Sequence, residues 1–501
     1  MEHFDVIIVG AGLSGIGAGY HLQKNCPDRS YAILEARGAI GGTWDLFRYP
    51  GIRSDSDMYT LGYNFKPWRE AKAIADGPSI LKYVRETASD NGIDKHIRFN
   101  HSVTRASWST ADARWTVESE HDGKSVSYSC SFLFMCSGYY DYAQGHDPEF
   151  AGRDSFAGTI VHPQHWPEGL DYSGKRVVII GSGATAVTLV PEMAKTAAHV
   201  TMLQRSPTYV VSRPAEDGIA NWLRKRLPAM TAYQMVRWKN VLWGMFFFNM
   251  ARKKPEKIKK RLIGMVRDHL GPDYDVDRHF TPRYNPWDQR LCLVPDSDLF
   301  DSIKAGRASV VTDRIERFTP SGIKLESGGE LPADVIVTAT GLKLVVLGKA
   351  EFFVDGRRIN FSETTSYKGM MYSGVPNMAS SFGYTNASWT LKADLTCEYV
   401  CRLLNHMKAG GYDICTPTLS GEPMEEIPWL DFSSGYVQRS LEIFPKQGAR
   451  KPWRIHQNYA KDLLAFRYAS VVDEAMVFAR RGGADQDAGT DKKAELQFTS
   501  A

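Results

Sequence analysis

Two glycine-rich turns, well separated along the chain, constrain its fold more than any other feature. The first follows the apolar run Phe4–Val9 and has G-x-G-x-x-G spacing over residues 10–15. The second follows Arg176–Ile180 and has G-x-G-x-x-A spacing over residues 181–186. A helical pattern follows each turn, and strand–turn–helix units with this spacing are typical of dinucleotide-binding βαβ folds. The sequence therefore predicts an α/β fold with two Rossmann-type domains.

In the first turn, each glycine has a separate predicted role. Gly10 permits the tight turn, Gly12 lets a pyrophosphate approach the backbone, and Gly15 lets the helix pack closely on the strand. The phosphates would lie at the positive end of the helix. Glu35 ends the next predicted strand, where a carboxylate accepts hydrogen bonds from a ribose diol and repels a 2′-phosphate.

The second turn differs in the charge at the end of its following strand. Gly181, Gly183 and Ala186 take the three fingerprint positions, and Arg205 stands where the first unit has Glu35. A cation there suits a 2′-phosphate, although an ordinary surface arginine is the alternative interpretation. Two nucleotide sites of opposite sign indicate a flavin and a nicotinamide, which we predict to be FAD and NADPH.

Composition excludes several other classes of protein. With 43% hydrophobic and 24% charged residues, the chain is neither disordered nor fibrous. The net charge of +4 does not favour nucleic-acid binding. Seven cysteines without C-x-x-C spacing predict no metal site, and they exclude a disulfide reductase. Reduced flavin must then pass its electrons elsewhere, and O2 is the usual acceptor. We expect a cytoplasmic protein, because we find neither a signal peptide nor an apolar run long enough for a membrane span.

Residues 220–272 form a basic segment unlike the rest of the chain. They contain thirteen lysines and arginines but only two acids, and they include the apolar, aromatic stretch Asn240–Met250. That stretch is too short to span a bilayer. The segment is either a helical insert with a solvated basic face or a peripheral contact with anionic lipid, which would make the protein membrane-associated.

A further motif lies between the two turns. Residues 156–167 match the pattern F-x-G-x-x-x-H-x-x-x-W-P at every fixed position, through Phe156, Gly158, His162, Trp166 and Pro167. This is the fingerprint of Baeyer–Villiger monooxygenases, a family of class B flavoprotein monooxygenases. Over roughly residues 1–480 the chain resembles the ethionamide-activating branch of that family, notably in Gly41–Trp44, Tyr49–Asp57 and Tyr384–Trp389.

The resemblance implies a reaction. In this family NADPH reduces FAD, O2 adds to give a C4a-peroxyflavin, and the peroxide attacks a ketone to yield an ester or lactone. The protonated form oxidises sulfur, so thioethers and thiocarbonyls are implied substrates as well as ketones.

The resemblance also implies roles for individual residues. Arg290 would stabilise the negative charge that develops on oxygen, and Asp55 would hold its guanidinium, with Asp57 the less favoured acid. Gln289 occupies a cofactor-binding position that is often lysine in relatives. Gly42, Thr43 and Trp44 are expected to bind cofactor with Asp55. His162 and Trp166 are expected to act in conformational change, with structural packing as the alternative.

We predict a discontinuous first domain with the second domain and the insert between its two parts. The predicted boundaries are 1–147 and 331–481 for FAD, 148–219 and 273–330 for NADPH, 220–272 for the insert and 482–501 for a disordered tail. Three alternative functions stay open: a flavin-containing monooxygenase limited to N- or S-oxygenation, an uncoupled NADPH oxidase, and a non-enzymatic nucleotide-binding protein that docks on membranes.

Overall fold

The computed structural model describes residues 1–289, 291–421, 423–430 and 433–482. Within them the chain forms two α/β units and a helical insert, so the predicted α/β fold is confirmed. Arg290 and residues 483–501 of the predicted tail lie outside the described residues.

The first stretch of the chain alternates strands and helices and then forms an antiparallel meander. The run of β-branched residues before Gly10 is buried on both faces, as a central parallel strand requires. The elements in chain order are β1 (Glu2–Val9), α1 (Leu13–Asn25), β2 (Tyr31–Leu34), α2 (Thr43–Leu46), α3 (Met58–Leu61), α4 (Gly77–Asp90), β3 (Ile97–Arg98), β4 (Ser102–Ser109), β5 (Arg114–His121) and β6 (Lys124–Met135).

The middle stretch carries the second unit and the insert. The elements are β7 (Thr159–Val161), β8 (Arg176–Ile180), α5 (Ala184–Met193), β9 (His199–Gln204), β10 (Val210–Arg213), α6 (Gly218–Arg224), α7 (Ala229–Lys253), α8 (Pro255–Leu270), α9 (Val276–Phe280), β11 (Cys292–Pro295), α10 (Asp298–Lys304), β12 (Ala308–Thr312), β13 (Ile315–Thr319), β14 (Gly322–Leu325), β15 (Glu330–Pro332) and β16 (Val335–Thr338).

The last stretch returns to the first unit. Its elements are β17 (Glu351–Val354), β18 (Arg357–Arg358), β19 (Ser366–Tyr367), β20 (Met371–Tyr372), β21 (Met378–Ser380), α11 (Trp389–Gly410), β22 (Ile414–Pro417), β23 (Glu426–Pro428), α12 (Gly435–Gln438), β24 (Lys446–Gly448), α13 (Tyr459–Leu463) and β25 (Met476–Ala479).

The first sheet has the order β18-β17-β4-β5-β6-β1-β2-β3, and β21 pairs with the end of β6. Strand β1 lies between β6 and β2 and is parallel to both. Val9 is in register with Leu34 and Met135, so the turns after all three strands meet at one edge of the sheet. That carboxyl edge is where open α/β sheets bind ligands.

The second sheet is wholly parallel and has the order β12-β9-β8-β16-β7. Strand β16 lies beyond Leu331, where we predicted the return to the first domain, yet it pairs with β8 and β7 of the second sheet. The chain rejoins the first sheet only at β17. The difference arises because the fully buried run Val335–Thr338 fits any parallel sheet centre, and sequence alone does not indicate which sheet it completes.

Helices α6 to α8 form the insert, and a buried arginine holds it on the first unit. Arg237 of α7 donates hydrogen bonds to the carbonyls of Tyr59 and Gly62 at 2.8 Å, and it lies 3.6 Å from the Asp394 carboxylate on α11. Both charged side chains are buried. Among the described helices, none is long and apolar enough to cross a membrane.

Candidate active site

The two glycine turns repeat one geometry. Gly10 and Gly181 both have φ in the left-handed region, at 104° and 141°, and each lies against the carbonyl of a neighbouring strand end. A Cβ on Gly10 would lie 2.7 Å from the Cys136 oxygen, and one on Gly181 would lie 2.3 Å from the Ala339 oxygen. Only glycine fits both positions without strain.

Each turn leaves a helix N-terminus open to a ligand. Helices α1 and α5 are capped by Gly12 and Gly183, so the cap residue offers no side chain to the first N–H groups. A Cβ on Gly183 would meet no described atom within 4 Å. Exposed N–H groups and the helix dipole favour an anion, so both turns fit the diphosphate of a dinucleotide.

Glu35 stands beside the first turn, where the sequence places the ribose contact. Its two carboxylate oxygens accept hydrogen bonds from the backbone N–H groups of Ala11, at 2.7 Å, and Arg37, at 2.8 Å. Burial raises the pKa of the Glu35 carboxyl, while these two hydrogen bonds oppose that rise. The side chain is therefore fixed in orientation, and its remaining lone pairs can accept hydrogen bonds from a diol.

A cavity of about 570 Å³ lies between the two units. From the first unit it is lined by predicted site residues, namely Gly10, Gly12, Glu35, Gly42, Thr43, Trp44 and Asp55. From the second unit it is lined by Ala184, Thr185 and Thr188 of α5. One space thus joins the first glycine turn to the start of the helix that follows the second.

The two candidate acids of the loop before α3 occupy different places. Asp57 caps α3 by accepting from the Thr60 N–H at 3.1 Å, and it also accepts from Asn240 of α7 at 2.9 Å. Asp55 lines the cavity. Asp57 therefore has a structural role, and the catalytic role of Asp55 stays a prediction.

Other predicted positions lie outside the cavity or outside the described residues. Gly15 and Ala186 lie where helices α1 and α5 pack on their sheets. A Cβ on Gly15 would lie 1.8 Å from the Gly10 oxygen, and Ala186 is fully buried. Arg205 is exposed directly after β9. Gln289 does not line the cavity, and Arg290 is not among the described residues, although Leu293 on β11 lines the cavity.

The fingerprint segment packs between the units rather than in the cavity. His162 caps a short 3-10 helix, Pro163–His165, and accepts from the Gln164 N–H at 3.2 Å. Burial lowers the pKa of His162, which favours the neutral ring. Gln164 donates to the carbonyl of Asp141, a cavity-lining residue, at 2.7 Å. His165 of the same segment also contacts the lining, with its Nε2 3.2 Å from the Ala143 carbonyl. The segment thus contacts the site through two residues, and its conformational role stays a prediction.

The remaining fingerprint residues pack in the second unit. Phe156 is buried against Phe318, and Trp166 packs on the core of the second sheet. A Cβ on Gly158 would lie 2.4 Å from the Asp334 oxygen, and Pro167 is exposed.

Tyr384 and Trp389, which follow β21, line the cavity and are also firmly packed. Tyr384 donates to the buried Asp462 at 2.8 Å, and Lys392 pairs with the same carboxylate at 2.7 Å. Trp389 donates to the Ser14 hydroxyl at 2.8 Å and stacks on Tyr139. Both residues combine core packing with a place on the wall of the site.

Sequence reasoning missed two ion pairs at the cavity wall. Arg53, which lines the cavity, pairs with Asp298 at the start of α10 and so joins the two units. Burial raises the pKa of Asp298, and Arg53 opposes that rise. Lys349 pairs with Asp141 at 2.7 Å. Arg53 lies within the Tyr49–Asp57 stretch already singled out, whereas no sequence signal marks Lys349.

Comparison with known proteins agrees over nearly the whole chain. A family described as "Flavin-binding monooxygenase-like" matches residues 72–259, and "NAD(P)-binding Rossmann-like domain" matches residues 8–71. The FAD-containing monooxygenase EthA of Mycobacterium tuberculosis is 57% identical over 481 residues, which are 96% of this chain and 98% of that protein. The probable FAD-binding monooxygenase AlmA of Acinetobacter baylyi is 48% identical over 96% of this chain and 97% of its own length.

A solved structure shares the fold. The open crystal structure of cyclohexanone monooxygenase superposes with a TM-score of 0.69 at 21% identity, covering 83% of this chain and 90% of that one. At this level of identity the likeness shows the fold alone.

Proposed function

Because this chain belongs to the family of FAD-containing monooxygenases, we propose that it is a Baeyer–Villiger monooxygenase that also oxidises sulfur. The overall reaction is ketone + O2 + NADPH + H⁺ giving ester or lactone + NADP⁺ + H2O. One oxygen atom enters the bond next to the carbonyl, and the other is reduced to water by the two electrons of NADPH. Thioethers and thiocarbonyls are the proposed sulfur substrates.

In this proposal the first unit holds FAD and the second holds NADPH. The α1 N-terminus at Gly12 would hold the diphosphate and Glu35 would accept from the ribose. Gly42, Thr43 and Trp44 line the same cavity. When bound, FAD supplies hydride acceptance from NADPH and activation of O2. Gly183 and Arg205 are proposed for NADPH.

The walls of the cavity are suited to keep water out during oxygen transfer. Leu61, Met135, Val345 and Leu347 are buried side chains among its lining. Burial also raises the pKa of Tyr49 there to about 12, so this phenol stays neutral. In such a site a fixed cation stabilises a developing oxyanion far more than in water. We assign that role to Arg290, with Asp55 as its positioning residue.

One observation carries the proposal: a single cavity joins the first glycine turn, Asp55 and the start of α5. It allows an electron donor bound to the second unit and an acceptor bound to the first to meet in one shared cavity. The alternative, a flavin-containing monooxygenase limited to N- or S-oxygenation, needs the same arrangement and differs in its products.

Product analysis with ¹⁸O2 tests the function. We expect holoenzyme with NADPH to convert 2-octanone to an ester that carries one ¹⁸O atom, and methyl phenyl sulfide to its sulfoxide. Arg290→Ala should keep NADPH-dependent flavin reduction and lose ester formation by at least about a hundredfold, because the developing oxyanion loses its counter-charge. Arg283→Ala, an exposed arginine of the same loop, is the matched control and should change ester formation less than about twofold.

Three results would contradict parts of this proposal. Sulfoxide without any ester would favour the alternative limited to N- or S-oxygenation. Stoichiometric hydrogen peroxide with every substrate would indicate an oxidase. Ester formation by Arg290→Ala at the wild-type rate would remove its assigned role.

We also propose that the insert rests on anionic lipid. Of the large apolar side chains that are exposed in the described residues, most come from α6 and α7: Ile219, Trp222, Met230, Met235, Trp238, Leu242, Trp243 and Phe246, each 38–57% exposed. Met235, Trp238, Leu242 and Phe246 recur at helical spacing and form an outward stripe on α7. The opposite face, with Tyr233, is packed on the first unit.

Charge supports lipid as the occupant of this stripe. Exposed cations lie beyond each end of α7, at Lys225 and Arg226 before it and at Lys254 and Lys257 after it. Arg226 covers the Trp222 ring at 4.4 Å. Apolar rings between cations are typical of helices that bind in the plane of an anionic membrane surface.

Vesicle sedimentation tests the membrane proposal. Holoenzyme should bind vesicles containing phosphatidylglycerol, bind phosphatidylcholine vesicles less, and detach at high salt. The variant Trp243→Ser/Phe246→Ser should bind at least about fivefold less while keeping its FAD, because two rings no longer enter the interface. Leu419→Ser, at an exposed leucine outside the insert, is the control. Unchanged binding by the double variant, or self-association through this face, would contradict the proposal.

A further inference from the structure

A second arginine lies beside the second glycine turn. Arg439, one residue after α12, extends over Gly341, because a Cβ on Gly341 would lie 3.9 Å from Arg439 Nη2. Gly341 follows β16, the neighbour of β8 in the second sheet. Ala339, two residues before Gly341, contacts Gly181 of the second glycine turn. Arg439 therefore lies at the same edge of the second sheet as that glycine turn, although it comes from the C-terminal part of the chain.

Arg205 approaches this edge from another strand. It directly follows β9, and the Ser182 hydroxyl of the glycine turn donates to the Ser206 carbonyl at 3.1 Å. Partial burial and repulsion from the Arg205 guanidinium lower the pKa of Arg439, in keeping with their positions at the same edge of the second sheet. No carboxylate of the described residues forms an ion pair with either arginine.

Two like charges held together without a counter-ion are unfavourable by themselves. Both arginine residues are exposed to solvent, so they are available to a ligand. The open space around Gly183 lies in the same turn, at the start of α5. A dianion bound between the arginines would remove the repulsion and gain charge-assisted hydrogen bonds from both.

We propose that Arg439 and Arg205 together bind the 2′-phosphate of NADPH, so that Arg439 is a second determinant of coenzyme specificity. The proposal rests on the proposed function in taking NADPH as the coenzyme. NADH lacks this phosphate and would leave both cations uncompensated. The residue before Arg290 is the neutral Gln289, so it adds no charge to this site.

The contacts of the segment before α12 explain how Arg439 is positioned. Ser433 donates to the Asp288 carbonyl through its N–H, at 3.0 Å, and through its hydroxyl, at 2.9 Å. These bonds tie the segment to the loop that carries Gln289. The cation is thus supplied from the C-terminal part of the chain to a nucleotide site formed by its middle part.

Calorimetric titration of the holoenzyme with nucleotide fragments tests the inference without turnover. We expect Arg439→Gln to weaken binding of adenosine 2′,5′-bisphosphate about tenfold and to change binding of 5′-AMP less than twofold, because only the former carries the 2′-phosphate. The Michaelis constant should rise by a similar factor for NADPH and stay constant for NADH. Arg205→Gln should behave alike, and the double variant should show coupling between the two sites.

Arg454→Gln is the matched control, since it removes an exposed arginine from the C-terminal stretch and the same unit of charge. Equal weakening by this control would show a general charge effect and overturn the inference. Equal loss of 5′-AMP and bisphosphate binding by Arg439→Gln would also overturn it, and so would no loss at all. Wild-type holoenzyme that binds neither fragment would instead overturn the NADPH assignment, which separates the two failures.

Discussion

Gly15→Ala is expected to give protein that purifies without bound FAD and without yellow colour. The added Cβ would lie 1.8 Å from the Gly10 oxygen, an atom of the turn itself, so α1 must move away from β1. Overpacking of this kind costs about 1–3 kcal/mol, and more where backbone is the obstacle. The move also withdraws the helix N-terminus from the diphosphate. Flavin absorbance per protein measures the effect, and far-ultraviolet circular dichroism reports whether the chain still folds.

Gly264→Ala provides the matched control for this glycine. Gly264 lies in α8, and a Cβ there would meet no described atom within 4 Å. Alanine favours a helix over glycine by up to about 1 kcal/mol, so this variant should keep its flavin and its stability. A full complement of flavin in Gly15→Ala would refute the assignment of FAD to the first turn.

Arg237→Met is expected to lower the free energy of unfolding by about 3–5 kcal/mol, the usual cost of removing one partner of a buried ion pair. The loss leaves the buried Asp394 carboxylate without the guanidinium, with only the His21 ring and the Asn64 N–H as partners among the described residues, and removes the donor to the carbonyls of Tyr59 and Gly62. Because these contacts join α7 to α3 and α11, the insert should detach first. Chemical denaturation followed by tryptophan fluorescence measures the change.

Two further variants decide whether the buried charge is the cause. Arg252→Met lies on the same helix with its side chain half exposed, and it should cost less than about 1 kcal/mol. Arg237→Met combined with Asp394→Leu should recover part of the loss, since no lone charge then remains buried. Equal stability of Arg237→Met and the wild type would contradict the role of Arg237 in holding the insert.

Local patterns were sufficient to predict both dinucleotide units. The strands at Phe4–Val9 and Arg176–Ile180 and the turns after them appear as expected, because apolar runs and glycine spacing act within a few residues. The turns also indicated where the phosphates of a dinucleotide should lie, which is at the edge of the sheet that lines the cavity. Gly10, Gly12 and Glu35 meet there since parallel strands bring their carboxyl ends to one edge.

Features that depend on distant parts of the chain could not be predicted. The pairing of β16 in the second sheet, the Arg53–Asp298 ion pair and the approach of Arg439 to Gly341 all join segments far apart in sequence. The exposure of Trp243 and Phe246 also could not be predicted, because the apolar pattern of a helix does not indicate which of its faces the rest of the molecule covers. The catalytic role of Arg290 stays a prediction from the resemblance.

In the sequence, the segment that forms the second sheet lies between the two parts that form the first sheet. This order has a consequence for synthesis of the chain. Strands β7 to β16 are continuous, so the inner unit is complete as soon as Thr338 leaves the ribosome. The outer unit must wait for β17, β21 and α11, which pack on β4, on the end of β6 and on α1 respectively. Domains ordinarily fold from the N-terminus as they emerge. Here the order is reversed, and β4 and the end of β6 keep an unpaired strand edge until β17 and β21 emerge.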